Sequence, residues 1–220
     1  MMTEQEWLTS KDPTAMLKHL EYHHGDNYDR KLRLFACACC RRIWDEIPSS
    51  RSRNAVEVAE RYADGFATEE ELGSAWYTAR DAAEDAWCAA WENAANAALA
   101  SAGGASVFAS ARSASLDSCD VYDDSDDAWE SGRKTQAHIL RDIVGNPFQP
   151  VTFQPLWQNQ TILQLAQTMY GDHDFSAMPI LGDALEEFGC DNEDFLHHCR
   201  DEVIHVRGCW VVDLILRKEI

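Results

Sequence analysis

The stretch Arg30-Lys-Leu-Arg-Leu-Phe-Ala-Cys-Ala-Cys-Cys-Arg-Arg-Ile-Trp44 decides the fold class, because its apolar side chains recur at the spacing of one helix face. The helix is predicted to begin at Asp26 or Asn27 and to end at Ile47, since Pro48 cannot continue it. Three- and four-residue steps connect its apolar positions, which are Leu32, Phe35, Ala36, Cys39, Cys40, Ile43 and Ile47. The pattern therefore predicts an amphipathic helix that packs on other helices.

Helix signals continue in both directions from this stretch. Thr3 with Glu6 and Thr68 with Glu71 have the spacing of capping boxes, and Asp12-Pro13 is typical of a helix start. Besides the helix at 26–47, helices are predicted at about 13–20, 52–64, 69–100, 128–144, 160–170, 179–188 and 193–200. Periodicity alone does not decide whether 209–218 is a helix or a strand. We favour a helix there.

The middle of the chain is rich in alanine, which has the highest helix propensity. A long helix is therefore predicted over 69–100, and Gly103-Gly104 should interrupt the alanine-rich segment. The stretch 113–127 is rich in serine and aspartate and is predicted to be a flexible acidic loop. Together these features predict an all-α protein in which residues 1–220 form a single multi-helix bundle.

The charge balance limits the partners of the protein. The formal net charge is -19, with 38 acidic and 19 basic residues. Such a surface repels nucleic acids and anionic membranes, so direct nucleic-acid binding is not expected and a basic protein partner is favoured. The sequence has neither a membrane-length apolar run nor a signal-peptide pattern. We therefore interpret its 8 cysteines as reduced thiols and expect a cytoplasmic location.

Four stretches resemble one uncharacterised bacterial family that is common in large genomes with many paralogues. They are 30–44 (RKLRLFACACCRRIW), 55–64, 141–150, and the C-terminal segments 178–185, 198–200 and 205–213 (MPILGDAL, HCR and HVRGCWVVD). One departure is 201–204, where family members tend to have a turn rich in glycine and proline. The resemblance implies one domain built from both ends of the chain, and it implies no activity.

A cysteine and histidine series near the C-terminus gives the sharpest chemical signal. Cys190, Cys199, His205 and Cys209 follow the pattern C-x8-C-x5-H-x3-C. This is the spacing of small Cys-Cys-Cys-His zinc fingers with the last two ligand types exchanged, and these donors can close a tetrahedral structural zinc site. His197 and His198 are spare ligand candidates. The alternative is that the cysteines are small hydrophobic residues of the core, with no metal or other cofactor bound.

Three further groups have both a functional and a structural interpretation. Cys37, Cys39 and Cys40 lie among arginines that would favour a reactive thiolate, although burial in the core would make them inert. Asp183, Glu186 and Glu187 share a helix and could hold a hydrolytic metal with a histidine, but acidic pairs arise by chance in so acidic a chain. An aromatic group in the proline-rich connector either caps the core or binds a protein: Phe148, Phe153 and Trp157.

The sequence contains no complete catalytic motif, so we expect a non-catalytic helical protein that binds or regulates another protein. Three alternatives stay open. They are a zinc-stabilised helical domain, a cysteine-dependent enzyme using Cys37 or Cys199, and an acidic inhibitor that mimics nucleic acid.

Overall fold

The computed structural model describes residues 2–24, 28–47, 49–84, 96–97, 100, 103, 107–119 and 126–218. All regular structure in these ranges is helical, which confirms the all-α prediction. The α-helices of the described part of the chain are α1 (Glu4–Thr9), α2 (Pro13–His24), α3 (Asp29–Arg42), α4 (Ser50–Ala63), α5 (Glu69–Glu84), α6 (Val107–Cys119), α7 (Asp126–Val144), α8 (Gln160–Asp172), α9 (Met178–Glu187), α10 (Glu193–Arg200) and α11 (Trp210–Leu216).

Most predicted helices agree with the structure, and their ends differ for local reasons. Helix α3 ends at Arg42 because the Ile43 N–H bonds to the Cys40 carbonyl, and a short 3-10 turn follows at Trp44–Glu46. The undecided C-terminal segment is a helix, α11. Of the predicted alanine-rich helix over 69–100, the structure shows α5 up to Glu84, whereas 85–95 lie outside the described residues.

The prediction of an acidic loop at 113–127 is wrong over much of this range. Helix α6 continues to Cys119 and α7 begins at Asp126, so only 120–125, which lie outside the described residues, separate the two. The serines of α6 are not loop residues because two of them are buried partners of one glutamine. Ser115 donates to Oε1 of Gln136 at 2.5 Å, and Nε2 of Gln136 donates to Ser118 at 2.9 Å.

The chain separates into two compact units, residues 1–140 and 141–220, with the division falling near the end of α7. In the first unit α3 packs on α4 and α6, and α4 packs on α5. A charged pair is built into this packing: the Arg41 guanidinium donates to both carboxylate oxygens of Glu60, at 2.9 and 2.7 Å. The sequence-based prediction of a single domain stays a prediction.

In the second unit α8 contacts α9 and α11, and α10 contacts α9 and α11. Their shared core surrounds Phe195, which is fully buried and whose ring lies 5.6 Å from that of Trp157 and 4.9 Å from that of Trp210. Three cysteines belong to the same core: Cys190, Cys199 and Cys209. None of the described helices is at once long and apolar enough to cross a membrane.

Candidate metal centre

Four metal-ligating side chains of the second unit come together: Asp142, His198, His205 and Cys209. Asp142 lies in the last turn of α7, His198 lies on α10, and the other two precede α11. One donor atom from each residue lies within 4.8 Å of the other three. The group is well shielded, since the exposed side-chain fractions of Asp142, His205 and His198 are 2%, 5% and 15%.

Asp142 is the centre of the group. Its Oδ1 atom lies 2.7 Å from Nδ1 of His205 and 3.1 Å from Nε2 of His198, while Oδ2 accepts a hydrogen bond of 2.9 Å from the Val206 N–H. Burial works to raise the pKa of Asp142, but the hydrogen bonds from His198 and His205 outweigh it and hold that pKa below its usual value. The carboxylate is therefore ionised although it is buried.

Cys209 supplies the sulfur of the group. Its Sγ atom lies 3.2 Å from Nε2 of His198. Burial, with a further contribution from the charge of Asp142, raises the pKa of the Cys209 thiol well above its ordinary value. A bound cation would reverse this effect, because a thiol that coordinates a metal ion gives up its proton.

The donor distances suit a small cation. Zinc bonds of about 2.0–2.1 Å to nitrogen or oxygen and about 2.3 Å to sulfur place tetrahedral ligand atoms about 3.4–3.6 Å apart. The distances from Nε2 of His198 to Asp142 and Cys209, 3.1 and 3.2 Å, are slightly shorter than this, and the distance from Nδ1 of His205 to Asp142, 2.7 Å, is clearly shorter. Small side-chain shifts would therefore open the group to a tetrahedral ion.

Hydrogen bonding alone leaves the group incompletely satisfied. Nε2 of a neutral imidazole carries either one proton or one lone pair, yet that of His198 faces both Asp142 and Cys209. Within the described part of the chain, Nε2 of His205 is buried without a hydrogen-bond partner. A bound cation would remove the conflict at Nε2 of His198, whereas the unpaired Nε2 of His205 does not bear on it, because the His205 atom that faces Asp142 is Nδ1.

Local sequence explains how two of the three segments present their ligands. The Asn192 side chain caps α10 by accepting from the Phe195 N–H at 3.1 Å, and Phe195 anchors the helix in the core one turn before His198. Between His205 and Cys209 the chain turns at Gly208, whose φ of 95° suits glycine. The Cys209 N–H closes this turn by donating to the Val206 carbonyl at 2.9 Å.

The structure brings together two of the four predicted zinc ligands, His205 and Cys209. Cys190 and Cys199 are buried in the same core but do not belong to the four-residue group. Burial raises the pKa of the Cys199 thiol to about 12, as it also raises the pKa of Cys209, so it is position and not pKa that separates the two thiols. His198, named from sequence as a spare candidate, takes part in the group. Asp142 was missed, although an acid between the apolar residues Leu140 and Ile143 of a helix was a usable signal.

The other sequence candidates have structural partners. Cys37, Cys39 and Cys40 are buried, and the Cys37 thiol lies 3.8 Å from the Val56 carbonyl oxygen to which it donates. Arg200 bonds Asp183 at 2.8 Å and also bonds Glu186. Of the aromatic group in the connector, Trp157 is in the core and Phe153 packs against it, whereas Phe148 is exposed. These contacts favour the structural interpretation of the three cysteines, of Asp183 and Glu186, and of Phe153 and Trp157, but they do not extend to Phe148.

Comparison of the chain with protein-family models, with curated proteins and with solved structures gives no match. The resemblance to a bacterial family stays a prediction.

Proposed function

We propose that residues 141–220 form a zinc-stabilised helical module of a non-catalytic, cytoplasmic protein. The observation that carries the proposal is the convergence of four donors from three separate segments: Asp142, His198, His205 and Cys209. The ligand set replaces Cys190 and Cys199 of the sequence-based hypothesis with Asp142 and His198.

The donor types favour zinc over other common ions. Magnesium and calcium select oxygen ligands, whereas this site offers one oxygen, two imidazole nitrogens and one sulfur. The two anions, the carboxylate of Asp142 and the thiolate of Cys209, would neutralise a divalent ion, which suits a buried site. Four protein ligands also fill a tetrahedral zinc completely, as structural sites do, and leave no position for a substrate.

The role of such an ion would be structural. Zinc would join the end of α7 to α10 and to the start of α11, so that its binding free energy contributes to folding. Asp142 and Cys209 would supply the negative charge. His198 and His205 would complete the coordination, and the Val206 N–H would hold the second oxygen of Asp142 in place.

A pair of cysteine variants tests the ligand set. The purified, reduced, tag-free full chain is loaded with zinc, and bound metal is measured for wild type, Cys209→Ser and the control Cys199→Ser. Both thiols are fully buried in the same core, so both variants disturb packing alike. We expect one zinc per chain in wild type and in Cys199→Ser, and less than one in Cys209→Ser.

Two results would contradict this assignment. Loss of zinc in Cys199→Ser, with binding retained in Asp142→Asn, would restore the sequence-based ligand set. A wild-type chain that binds no zinc and melts unchanged with chelator would refute the zinc module itself.

Protein recognition is a second candidate function, favoured by exposed apolar side chains of the second unit. Leu156 and Ile180 are 85% and 59% exposed, and Phe188 and Ile204 are about half exposed. With a net charge of -19, a basic protein is the expected partner. Capture of one defined basic protein by wild type, but not by a Leu156→Ser and Ile180→Ser double variant, would support this function. Equal capture by both would place the interaction elsewhere.

A further inference from the structure

Trp210 directly follows the ligand Cys209, and its indole touches another ligand. The centroids of the Trp210 and His198 rings are 5.0 Å apart, and the planes are tilted by 51°. Phe195, one turn before His198 on α10, lies at 4.9 Å from the same indole in an edge-to-face contact. The indole therefore packs on two successive turns of the helix that carries His198.

The end of α7 leaves space for the indole at Gly145, one turn after the ligand Asp142. A Cβ atom at Gly145 would lie 3.3 Å from Cγ of Trp210 and 3.5 Å from its Cδ1 and Cδ2 atoms. The φ of Gly145 is 75°, in the left-handed region that side chains other than glycine rarely adopt. Glycine is thus required twice over, by the backbone conformation and by the close approach of the indole.

An imidazole that is free to turn would point Nε2 at its partners only part of the time. The second side-chain torsion of histidine has a broad, weakly restricted energy profile, so neighbouring groups must set the ring orientation. Among the residues that the structure describes, two rings contact His198: that of Trp210, and that of His205 at 4.9 Å in an edge-to-face arrangement. His205 is itself a ligand, so Trp210 is the contact that does not depend on the ion.

We propose that Trp210 is a positioning residue for the metal site, and that Gly145 is the glycine that admits it. The indole, seated on the Gly145 backbone, holds the His198 ring so that Nε2 is directed at Asp142 and Cys209. Each of two chain segments then supplies a ligand and a support: Asp142 with Gly145 from the end of α7, and Cys209 with Trp210 at the start of α11. This inference rests on the zinc module proposed above.

The inference is tested with Trp210→Leu, Trp210→Phe and Gly145→Ala, with Trp157→Leu as a matched control. Trp157 is buried in the same core and packs on Phe195 at 5.6 Å, so its loss disturbs the core to a similar degree. Two quantities are measured for each full-length variant: the zinc dissociation constant, by competition with a chromophoric chelator, and unfolding by urea with zinc removed.

We expect Trp210→Leu and Trp157→Leu to lower the zinc-free urea midpoint alike, while Trp210→Leu alone weakens zinc binding, by about 10- to 100-fold. Gly145→Ala should weaken it in the same direction, and Trp210→Phe should retain much of the wild-type affinity. Cobalt-loaded Trp210→Leu should also show altered visible absorption bands, because the coordination geometry has changed.

Equal zinc affinity in Trp210→Leu and Trp157→Leu would overturn the inference, even if both variants are unstable. If Trp210→Leu does not fold, unchanged zinc affinity together with unchanged cobalt bands in Gly145→Ala would overturn it instead. Failure of the zinc module itself is recognised separately, since the wild-type chain would then bind no zinc.

Discussion

Asp142 is a buried charge that the surrounding chain satisfies on both oxygens. One oxygen meets two imidazoles and the other meets the Val206 N–H, so removal of the carboxylate leaves several buried groups without their partner. Breaking a buried network of this kind is one of the few ways in which a single substitution causes a large loss of stability. Asp142 therefore should matter to folding as well as to metal binding.

We expect Asp142→Asn to lower the free energy of unfolding by about 2–4 kcal/mol, because a buried charge-assisted network is broken. Zinc binding should weaken as well, since one of the two anionic ligands is lost. Urea unfolding with and without zinc measures both effects. Asp183→Asn is the control, because that carboxylate is largely exposed and bonds Arg200 at the surface. An equal loss of stability in both variants would contradict the role given to Asp142.

Glu60 in the first unit allows the stability contribution of a buried ion pair to be compared with that of an exposed one. Its carboxylate is 5% exposed and receives both hydrogen bonds of Arg41, whose guanidinium also lies 4.0 Å from the centre of the Trp44 ring. We expect Glu60→Ala to cost about 2–4 kcal/mol of unfolding free energy. Glu130→Ala, which removes the exposed pair with Lys11, should cost less than about 1 kcal/mol. Chemical denaturation of both variants decides the comparison.

At the scale of the elements, α10 depends on its cap. Asn192 accepts from the Phe195 N–H at the first turn, and the helix that follows has only 8 residues to stabilise itself. We expect Asn192→Ala to cost about 1 kcal/mol, whereas Asn192→Ser should restore most of it. Thermal unfolding followed by circular dichroism would show this order. A Ser variant no better than the Ala variant would contradict the capping role.

The capping box of α5 predicts a dependence on pH. Hydrogen bonds from the Thr68 backbone N–H, and then from its side chain, lower the pKa of Glu71 below its usual 4.5. The stabilisation is therefore complete above pH 4.5 and is lost as the pH falls through the lowered pKa. In Thr68→Ala we expect the pKa of Glu71 to rise, as followed by NMR titration of its carboxyl carbon. The backbone N–H remains in this variant, so the rise should be partial, and an unmoved titration curve would mean that the side chain of Thr68 takes no part in the box in solution.

Sequence predicts this fold well where the determining signals are local. The apolar stripe of α3 and the caps of α1 and α5 are each recognised within a few residues, and they predict that these helices exist, although not every helix end. The prediction of a loop at the serine-rich stretch was wrong because the deciding contacts there are not local. Ser115 and Ser118 are helical because Gln136, on another helix, completes their hydrogen bonds.

The same distinction between local and distant signals explains which residues of the candidate site were predicted. His205 and Cys209 sit close together in the chain and were predicted, whereas Asp142 is 63 residues from His205 and only tertiary packing brings it near. Cys190 and Cys199 were included because spacing cannot tell a buried thiol from a ligand. The spatial arrangement of the helices decides which cysteines and histidines share a site. A single sequence does not state that arrangement explicitly.

At the scale of the whole molecule, the two units should respond differently to zinc. The proposed ligands all lie in residues 141–220, and the first unit has a separate core around α3 and α4. With zinc added to the chelator-treated chain, we expect amide hydrogen exchange to slow in α10, in α11 and at the end of α7, and to be unchanged in α4. Mass spectrometry of peptides resolves these regions. Uniform protection across both units, or none, would contradict the assignment.

The long separation between Asp142 and His205 bears on how the second unit would fold over time. We expect contacts across 63 residues to form late, after α8, α9 and α10 have begun to pack, because loop closure opposes them until other contacts are made. An ion held by these residues would stabilise the native state more than the transition state. Zinc would then leave the refolding rate nearly unchanged and slow unfolding, which lengthens the lifetime of each folded molecule.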